Sequence, residues 1–158
     1  MATLKQAYEN WNELYKMVEI LAVDAMQENS DNVLESIKEQ LWDGKTGKGD
    51  DIRPYYSEDP WFKSRAKAEA YKRWKQVITP NPNRNPDAPN LFINGWFYKQ
   101  ISIQKNDGEL LINPGAGSLI KEKYDDIFIL QIENQKEFND LTRPVFFRKI
   151  RKILNYGR

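Results

Sequence analysis

The sequence predicts an α+β fold with long N-terminal helices, a small central antiparallel β-sheet and a C-terminal helix. Three patterns predict it. Apolar residues recur every three or four positions over residues 3–42 and again over 142–154, which is typical of helices. They alternate around residues 101–113, on both sides of a turn signal. We expect a single domain over 1–158, because this length suits one hydrophobic core.

The first helix is predicted over residues 3–26, with Thr3 as its N-cap. Its apolar stripe consists of Leu4, Ala7, Tyr8, Trp11, Leu14, Tyr15, Val18, Leu21, Ala22 and Ala25. Three of these side chains are large aromatics, so the stripe must bury against something large. We interpret it as core in preference to a partner surface. A second helix follows, capped by Ser30 or Asn32, with Leu41 near its end.

Residues 43–51 hold three glycines and predict an exposed loop, the tip of a small hairpin over 40–56. A third helix is predicted from Ser57 or Asp59 to Ile78. Residues 79–90 contain four prolines and read as an exposed arm rather than core. Deleting this arm is expected to leave the subunit folded but to weaken its assembly.

The pattern changes to strand-like spacing from Leu91. Residues 91–93 are predicted as a strand, and 96–98 as one helical turn. Residues 101–104 and 109–113 are predicted as two strands joined at Asn106-Asp107-Gly108, a tight hairpin signal.

The last part of the chain is predicted to be mainly helical. A short helix is expected over 118–124, and residues 127–130 form either a buried strand or a loop that enters the core. Residues 133–141 are expected to be helical. Thr142 then caps a last helix that carries Pro144 in its first turn.

The composition excludes several kinds of chemistry, because the chain has no His and no Cys. Disulfides, thiolate zinc sites, Cys nucleophiles and imidazole acid–base catalysis are therefore impossible. No apolar run is long enough to span a membrane, and residues 1–20 do not resemble a signal peptide. We expect no enzyme activity and no cofactor.

Two motifs suggest catalysis but fail closer tests. The Gly44–Asp50 stretch lacks the first glycine of a phosphate-binding loop and does not open a helix, so it predicts a flexible turn. The acid pairs Asp50-Asp51, Glu58-Asp59 and Asp125-Asp126 do not match a two-metal nuclease, since adjacent acids point in different directions. A carboxylate-based metal hydrolase remains only a third alternative.

Charge alternates in blocks along a chain whose net charge is only +1. Residues 1–42 and 107–140 are acidic, whereas 61–78 and 143–158 are basic. These blocks either neutralise each other within one fold or form opposite sides of a subunit that meets its own copies head to tail.

The basic residues are the candidate interaction residues. They are Lys63, Arg65, Lys67, Lys72, Arg73, Lys75, Arg84, Arg148, Lys149, Arg151 and Lys152. Over 61–78 they interleave with Trp61, Tyr71 and Trp74, which suits phosphate contacts and base stacking. The helical spacing of these aromatics nevertheless predicts that they face the core. Binding of nucleic acid by helix 61–78 is the alternative function.

Several motifs of residues 40–154 resemble a known group of proteins. The motifs are Gln40-Leu41-Trp42-Asp43-Gly44, Ile52-Arg53-Pro54-Tyr55-Tyr56-Ser57, Asn90-Leu91-Phe92-Ile93-Asn94-Gly95-Trp96-Phe97-Tyr98, Lys123-Tyr124-Asp125-Asp126-Ile127-Phe128-Ile129-Leu130 and Arg143-Pro144. The chain resembles small neck or tail-completion proteins of tailed phages of Bacteroides-type bacteria, including crAss-like phages. It departs from their pattern at Asn94, where Thr is usual, and at Asp125, where Gly is commoner.

The resemblance implies a virion structural protein, assembled in the host cytoplasm, that forms a head–tail connector ring. Its expected partners are other copies of itself and neighbouring portal, neck or tail proteins, with genomic DNA possible nearby and no membrane. The expected contact surfaces are the 43–51 loop, the 79–90 arm and the basic face of 143–158.

Overall fold

The structure, a computed structural model, describes residues 3–106, 109–115, 118–124 and 126–155. The layout of these residues is α+β, as predicted. The elements are α1 (Leu4–Gln27), α2 (Ser30–Trp42), α3 (Arg65–Ile78), α4 (Trp96–Gln100), β1 (Ser102–Asn106), β2 (Glu109–Asn113), α5 (Ser118–Lys123) and α6 (Ile132–Asn155). The predicted turn residues Asp107 and Gly108 lie outside the described residues, as does Asp125.

Helix α1 begins where the sequence predicts it. The Thr3 hydroxyl oxygen accepts a hydrogen bond from the Gln6 N–H at 3.2 Å. The Gln6 side-chain oxygen accepts one from the Thr3 N–H at 2.9 Å, which completes a capping box. Helix α2 begins slightly earlier than predicted. Its N-cap is Asn29, in place of the predicted Ser30 or Asn32.

Helix α3 begins later than predicted, at Arg65 instead of near Ser57 or Asp59. The Asp59 carboxylate is held elsewhere, since it accepts from the Trp61 N–H at 3.0 Å and from Lys123 Nζ at 2.5 Å. The chain therefore turns at this point, and Ser64 becomes the N-cap by accepting a bond from the Lys67 N–H.

Helix α6 is one continuous helix in place of the two predicted segments, with Pro144 in its interior. Its first half lies beside α2, where Phe138 and Val33 line the same cavity. Its second half reaches the end of α1, where Arg148 Nη2 donates to Glu28 at 2.6 Å. Helix α6 is therefore antiparallel to α2 and continues to α1.

The two strands pair antiparallel from Ser102 opposite Asn113 to Asn106 opposite Glu109, which confirms the predicted hairpin. Residues 91–93 are not a strand, and Leu91 has a φ of 56° that strand backbone does not adopt. Residues 127–130 were predicted as either a buried strand or a loop that enters the core, and the structure shows the loop. The segment forms turns, and Ile127 is buried.

Gln40 of α2 fixes this loop against the core. Its amide nitrogen donates to the carbonyls of Ile127 at 3.3 Å and Ile129 at 3.1 Å. Its amide oxygen accepts from the Gln131 N–H at 3.2 Å. A buried glutamine thus satisfies backbone groups that a strand partner would otherwise satisfy. The surrounding core consists of Val33, Ile37, Leu41, Ile52, Phe97, Tyr98, Ile101, Tyr124 and Ile127.

The Pro-rich segment 79–90 is a buried part of the body, which corrects its prediction as an exposed arm. Its buried residues are Thr79, Arg84, Ala88, Pro89 and Asn90. Proline brings no N–H donor into the interior, and Asn side chains satisfy local donors: Asn81 accepts from the Asn83 N–H at 2.9 Å. A segment rich in Pro and Asn can therefore be buried even though it has no regular spacing of apolar side chains that would predict burial.

The 43–51 loop is exposed only at its tip, residues 48–50. Gly44 lies so close to the Pro-rich segment that an added Cβ would meet the Pro89 carbonyl oxygen at 3.1 Å, and its φ is 67°. The Gly47 N–H donates to the Asp126 carbonyl at 2.8 Å. The hairpin predicted over 40–56 is reduced to one bridge between Lys45 and Asp51.

Candidate interaction surfaces

The first half of α1 carries large apolar side chains that the rest of the chain leaves uncovered. Leu4, Tyr8, Trp11 and Tyr15 are 93%, 68%, 62% and 84% exposed. The prediction that this stripe is core is wrong for these residues. Its buried members are Leu14, Leu21 and Ala25. Helix α6 reaches α1 at Glu28, next to its C-terminal end, and the buried positions of the stripe run from Leu14 to Ala25.

We call Leu4, Tyr8, Trp11, Tyr15 and Val18 the α1 seam. They are separated by four, three, four and three residues, which is the spacing of the a and d positions of a coiled coil. One cation and one acid flank the seam, because Lys5 and Glu19 occupy e positions of this repeat. Lys5 is 3.9 Å from Glu9, whereas Glu19 has no ion pair within the described ranges.

A second exposed surface surrounds the start of α3, and we call Trp61, Phe62, Tyr71 and Trp74 the aromatic patch. Ring centroids are 4.8 Å apart for Trp61 and Phe62, and 5.3 Å for Tyr71 and Trp74. Trp61 is 71% exposed and Trp74 is also exposed. The prediction that these two indoles face the core is therefore wrong.

Lysine side chains border the aromatic patch. Lys63 and Lys67 line an open cleft of about 480 Å³ together with Trp61, Phe62 and Tyr71. Lys63, Lys67 and Arg73 are exposed. The late start of α3 places Trp61 before the helix, in a turn, and this explains why helical spacing misassigned its side chain.

Two of the predicted interaction residues are buried and cannot contact a partner. Lys75 is 1% exposed and donates to the Phe92 carbonyl. Burial, and then the charge of Arg84, lower the pKa of Lys75 to about 8. Arg84 is 4% exposed, and its Nη2 donates to the Thr79 carbonyl at 3.3 Å. Burial lowers the pKa of Arg84 as well.

The remaining predicted basic residues divide into paired and exposed ones. Arg148 and Lys149 both bind Glu28, at 2.6 Å and 2.5 Å, and the hydrogen bond from Lys149 lowers the pKa of Glu28. Lys72 binds Glu69 at 2.8 Å. Arg65, Arg151 and Lys152 are exposed. The acidic N-terminal and basic C-terminal blocks thus meet at Glu28 within the chain.

A polar cleft of about 540 Å³ lies beside the 43–51 loop. Asp51 is fixed there by Lys45 at 2.7 Å, Asn85 at 2.8 Å and the Tyr55 hydroxyl at 3.0 Å. Burial raises the pKa of Asp51, but these three hydrogen bonds together lower it by more. In the described residues no three carboxylates are grouped in a way that could hold a metal ion.

Within the described ranges, no helix has the length and apolar character needed to cross a membrane. Comparison with known protein families, curated proteins and solved structures finds no match for this chain.

Proposed function

We propose that this chain is a non-enzymatic structural subunit that works by assembling with other proteins. The α1 seam is the observation that carries this proposal. Each exposed aromatic presents on the order of 100–200 Å² of ring surface, and three of them lie in one row with Leu4. Contiguous apolar patches of several hundred Å² are typical of protein interaction sites.

We further propose that the assembly is a neck or tail-completion ring at the head–tail junction of a phage virion. The resemblance over residues 40–154 supports this part of the proposal. Its partners would be further copies of this chain and portal, neck or tail proteins. Arg148 and Lys149 are paired within the chain, so Arg151 and Lys152 are the better candidates for contacts with neighbours or genomic DNA.

The double variant Trp11→Ser/Tyr15→Ser should fold normally but be lost from virions. Both side chains are exposed, so their removal changes few contacts within the subunit. The measurement is quantitative mass spectrometry of purified phage particles after complementation with tagged protein. The wild-type protein should be recovered at the copy number of a ring, and the double variant at less than about a tenth of that level.

The matched control is Trp74→Ser, which removes an exposed indole outside the seam. It should enter particles as the wild type does. Purified particles that lack the wild-type protein would refute the virion proposal.

A second function, binding of single-stranded nucleic acid, is favoured by the aromatic patch. Exposed indoles beside Lys63, Lys67 and Arg73 offer stacking surfaces next to cations. Stacking contributes about 1–3 kcal/mol per base in such sites. The overall charge of +1 limits this function to a local surface rather than a whole basic face.

Trp61→Ala should weaken binding of a fluorescent single-stranded oligonucleotide by at least about fivefold at low salt, since it removes one stacking surface. Lys63→Glu/Lys67→Glu should weaken it further and flatten its salt dependence. Fluorescence anisotropy measures both effects. Lys99→Glu, an exposed change on α4, is the control and should have little effect. The absence of binding by the wild type at low salt would dismiss this function.

A further inference from the structure

We infer that the α1 seam is covered by the α1 seam of a second copy of this chain, with the two helices antiparallel. The inference rests on the proposed assembly role, because it names the partner that the seam binds in the free protein. A two-fold contact of this kind is closed and does not itself form the ring. The inference follows from three properties of α1: the spacing of its apolar residues, their sizes, and the order of the charges beside them.

The spacing specifies a helix as the partner. The 4-3-4-3 spacing of the seam continues in Ala22, which is partly exposed, and ends in the core at Ala25. One row of a and d positions therefore runs along α1 from Leu4. A row of this kind is complementary to a second helix with the same repeat. The side chains of the second helix fit into the gaps between the side chains of the first. The exposed end of the row is therefore half of a helix–helix interface.

The side-chain sizes favour one antiparallel register. In this register the sequence numbers of two residues that face each other sum to about 26. Leu4 then faces Ala22 of the second copy, and Tyr8 faces Val18. Trp11 faces Tyr15 near the two-fold axis. Large residues meet smaller ones at the two ends, and the two largest meet in the middle. A parallel pair would instead place each aromatic against itself.

The charges independently favour the same register. Lys5 and Glu19 both occupy e positions of the repeat, which flank the seam, and Lys5 of one copy lies next to Glu19 of the other. This pairing occurs twice by symmetry, and Asn12, the e position between them, approaches its own equivalent at the axis. Glu19, which has no ion pair in the described part of the single chain, gains an opposite charge in this way. In a parallel pair Glu19 would instead face Leu14, an uncharged g position.

The basic face of α6 is a poorer match for the charges that flank the seam. A neighbouring copy that covered the seam with Arg151 and Lys152 would place cations beside Lys5 as well as beside Glu19. The α1 pairing places each of these two side chains beside an opposite charge. The seams of two copies would together bury on the order of 1,000 Å² of apolar and flanking surface, close to the lower limit for specific interfaces.

The first test is the mass of the purified full-length protein by analytical ultracentrifugation. The wild type should be a dimer at micromolar concentration, and Trp11→Glu should be a monomer with unchanged helical circular dichroism. Lys5→Glu and Glu19→Lys should each weaken association about tenfold, because two ion pairs per dimer become repulsive. The double variant Lys5→Glu/Glu19→Lys should restore it, since the exchanged charges face each other again.

The second test fixes the direction of the helices and uses the absence of native Cys. With a short bismaleimide, Asn12→Cys should crosslink to its own equivalent. Lys5→Cys should not, because its two copies lie about 24 Å apart along the antiparallel pair. A mixture of Lys5→Cys and Glu19→Cys should crosslink. Efficient self-crosslinking of Lys5→Cys would overturn the antiparallel arrangement.

The failures of the two proposals can be told apart. A wild-type protein that is monomeric in solution but requires Trp11 and Tyr15 to enter particles would overturn the α1 pairing and support assembly through the seam with another partner. A dimer that Trp11→Glu disrupts, in a protein absent from virions, would support the pairing and refute the virion role.

Discussion

Replacing residues 79–90 with a Gly-Ser linker of the same length should unfold the protein. The segment contributes Thr79, Ala88, Pro89 and Asn90 to the interior. It also supplies hydrogen bonds to distant elements: Asn81 donates to Asp43 at 2.6 Å. The Tyr98 hydroxyl on α4 donates to the Asn90 carbonyl at 2.7 Å. Losing these contacts should remove more than about 5 kcal/mol, the lower end of typical domain stability.

Thermal unfolding followed by circular dichroism measures this effect. The linker variant should show no cooperative transition, whereas Asn83→Gly, a change at an exposed position of the same segment, should shift the midpoint by only a few degrees. A linker variant that still unfolds cooperatively would show that the segment is dispensable for folding. It would then return to consideration as an assembly arm.

The stability of the wild type should rise by about 2 kcal/mol between about pH 7.5 and pH 9.5 because of Lys75. Burial lowers the pKa of this ammonium from 10.5 to about 8 in the folded state. Between these two pKa values the unfolded chain binds more protons than the folded one, so raising the pH favours folding. Below about pH 8 the folded chain keeps a buried cation, and its full cost applies.

Urea unfolding at a series of pH values tests this prediction. In Lys75→Met the rise should disappear, because the group that titrates is gone. In Lys72→Met, one turn earlier and paired with Glu69 outside the interior, the rise should persist. The series must stay below about pH 10, since burial raises the pKa of Tyr98 and ionisation of this phenol would oppose folding. A flat wild-type profile would contradict a buried, titrating Lys75.

The elements found from the sequence are those whose signals are local. The Thr3 capping box, the periodicity of α1 and the alternation of β1 and β2 lie within single segments, so each could be predicted without knowledge of the rest. The strand prediction for 91–93 failed because a short apolar run fits an irregular segment equally well, and here Ile93 is exposed. Only distant contacts decide between the two.

The candidate surfaces were harder to predict than the fold. Periodicity identified the apolar face of α1, but it could not show which part of that face is covered. Leu14, Leu21 and Ala25 are buried, whereas the large side chains from Leu4 to Tyr15 are exposed. The burial of Lys75 and Arg84 depends on how the Pro-rich segment packs, and no local pattern predicts that. Trp61 was misplaced because Asp59 binds Lys123, a residue far along the chain.

Pro144 in the interior of α6 has a consequence for how the molecule opens. Proline has no N–H, so the helix lacks the bond that would reach back to the Asp140 carbonyl. The interruption falls between the half of α6 beside α2 and the half that reaches α1. Native-state hydrogen exchange should therefore detect two units of different protection. Amides after Pro144 should exchange with those of α1, while amides before it remain protected together with α2.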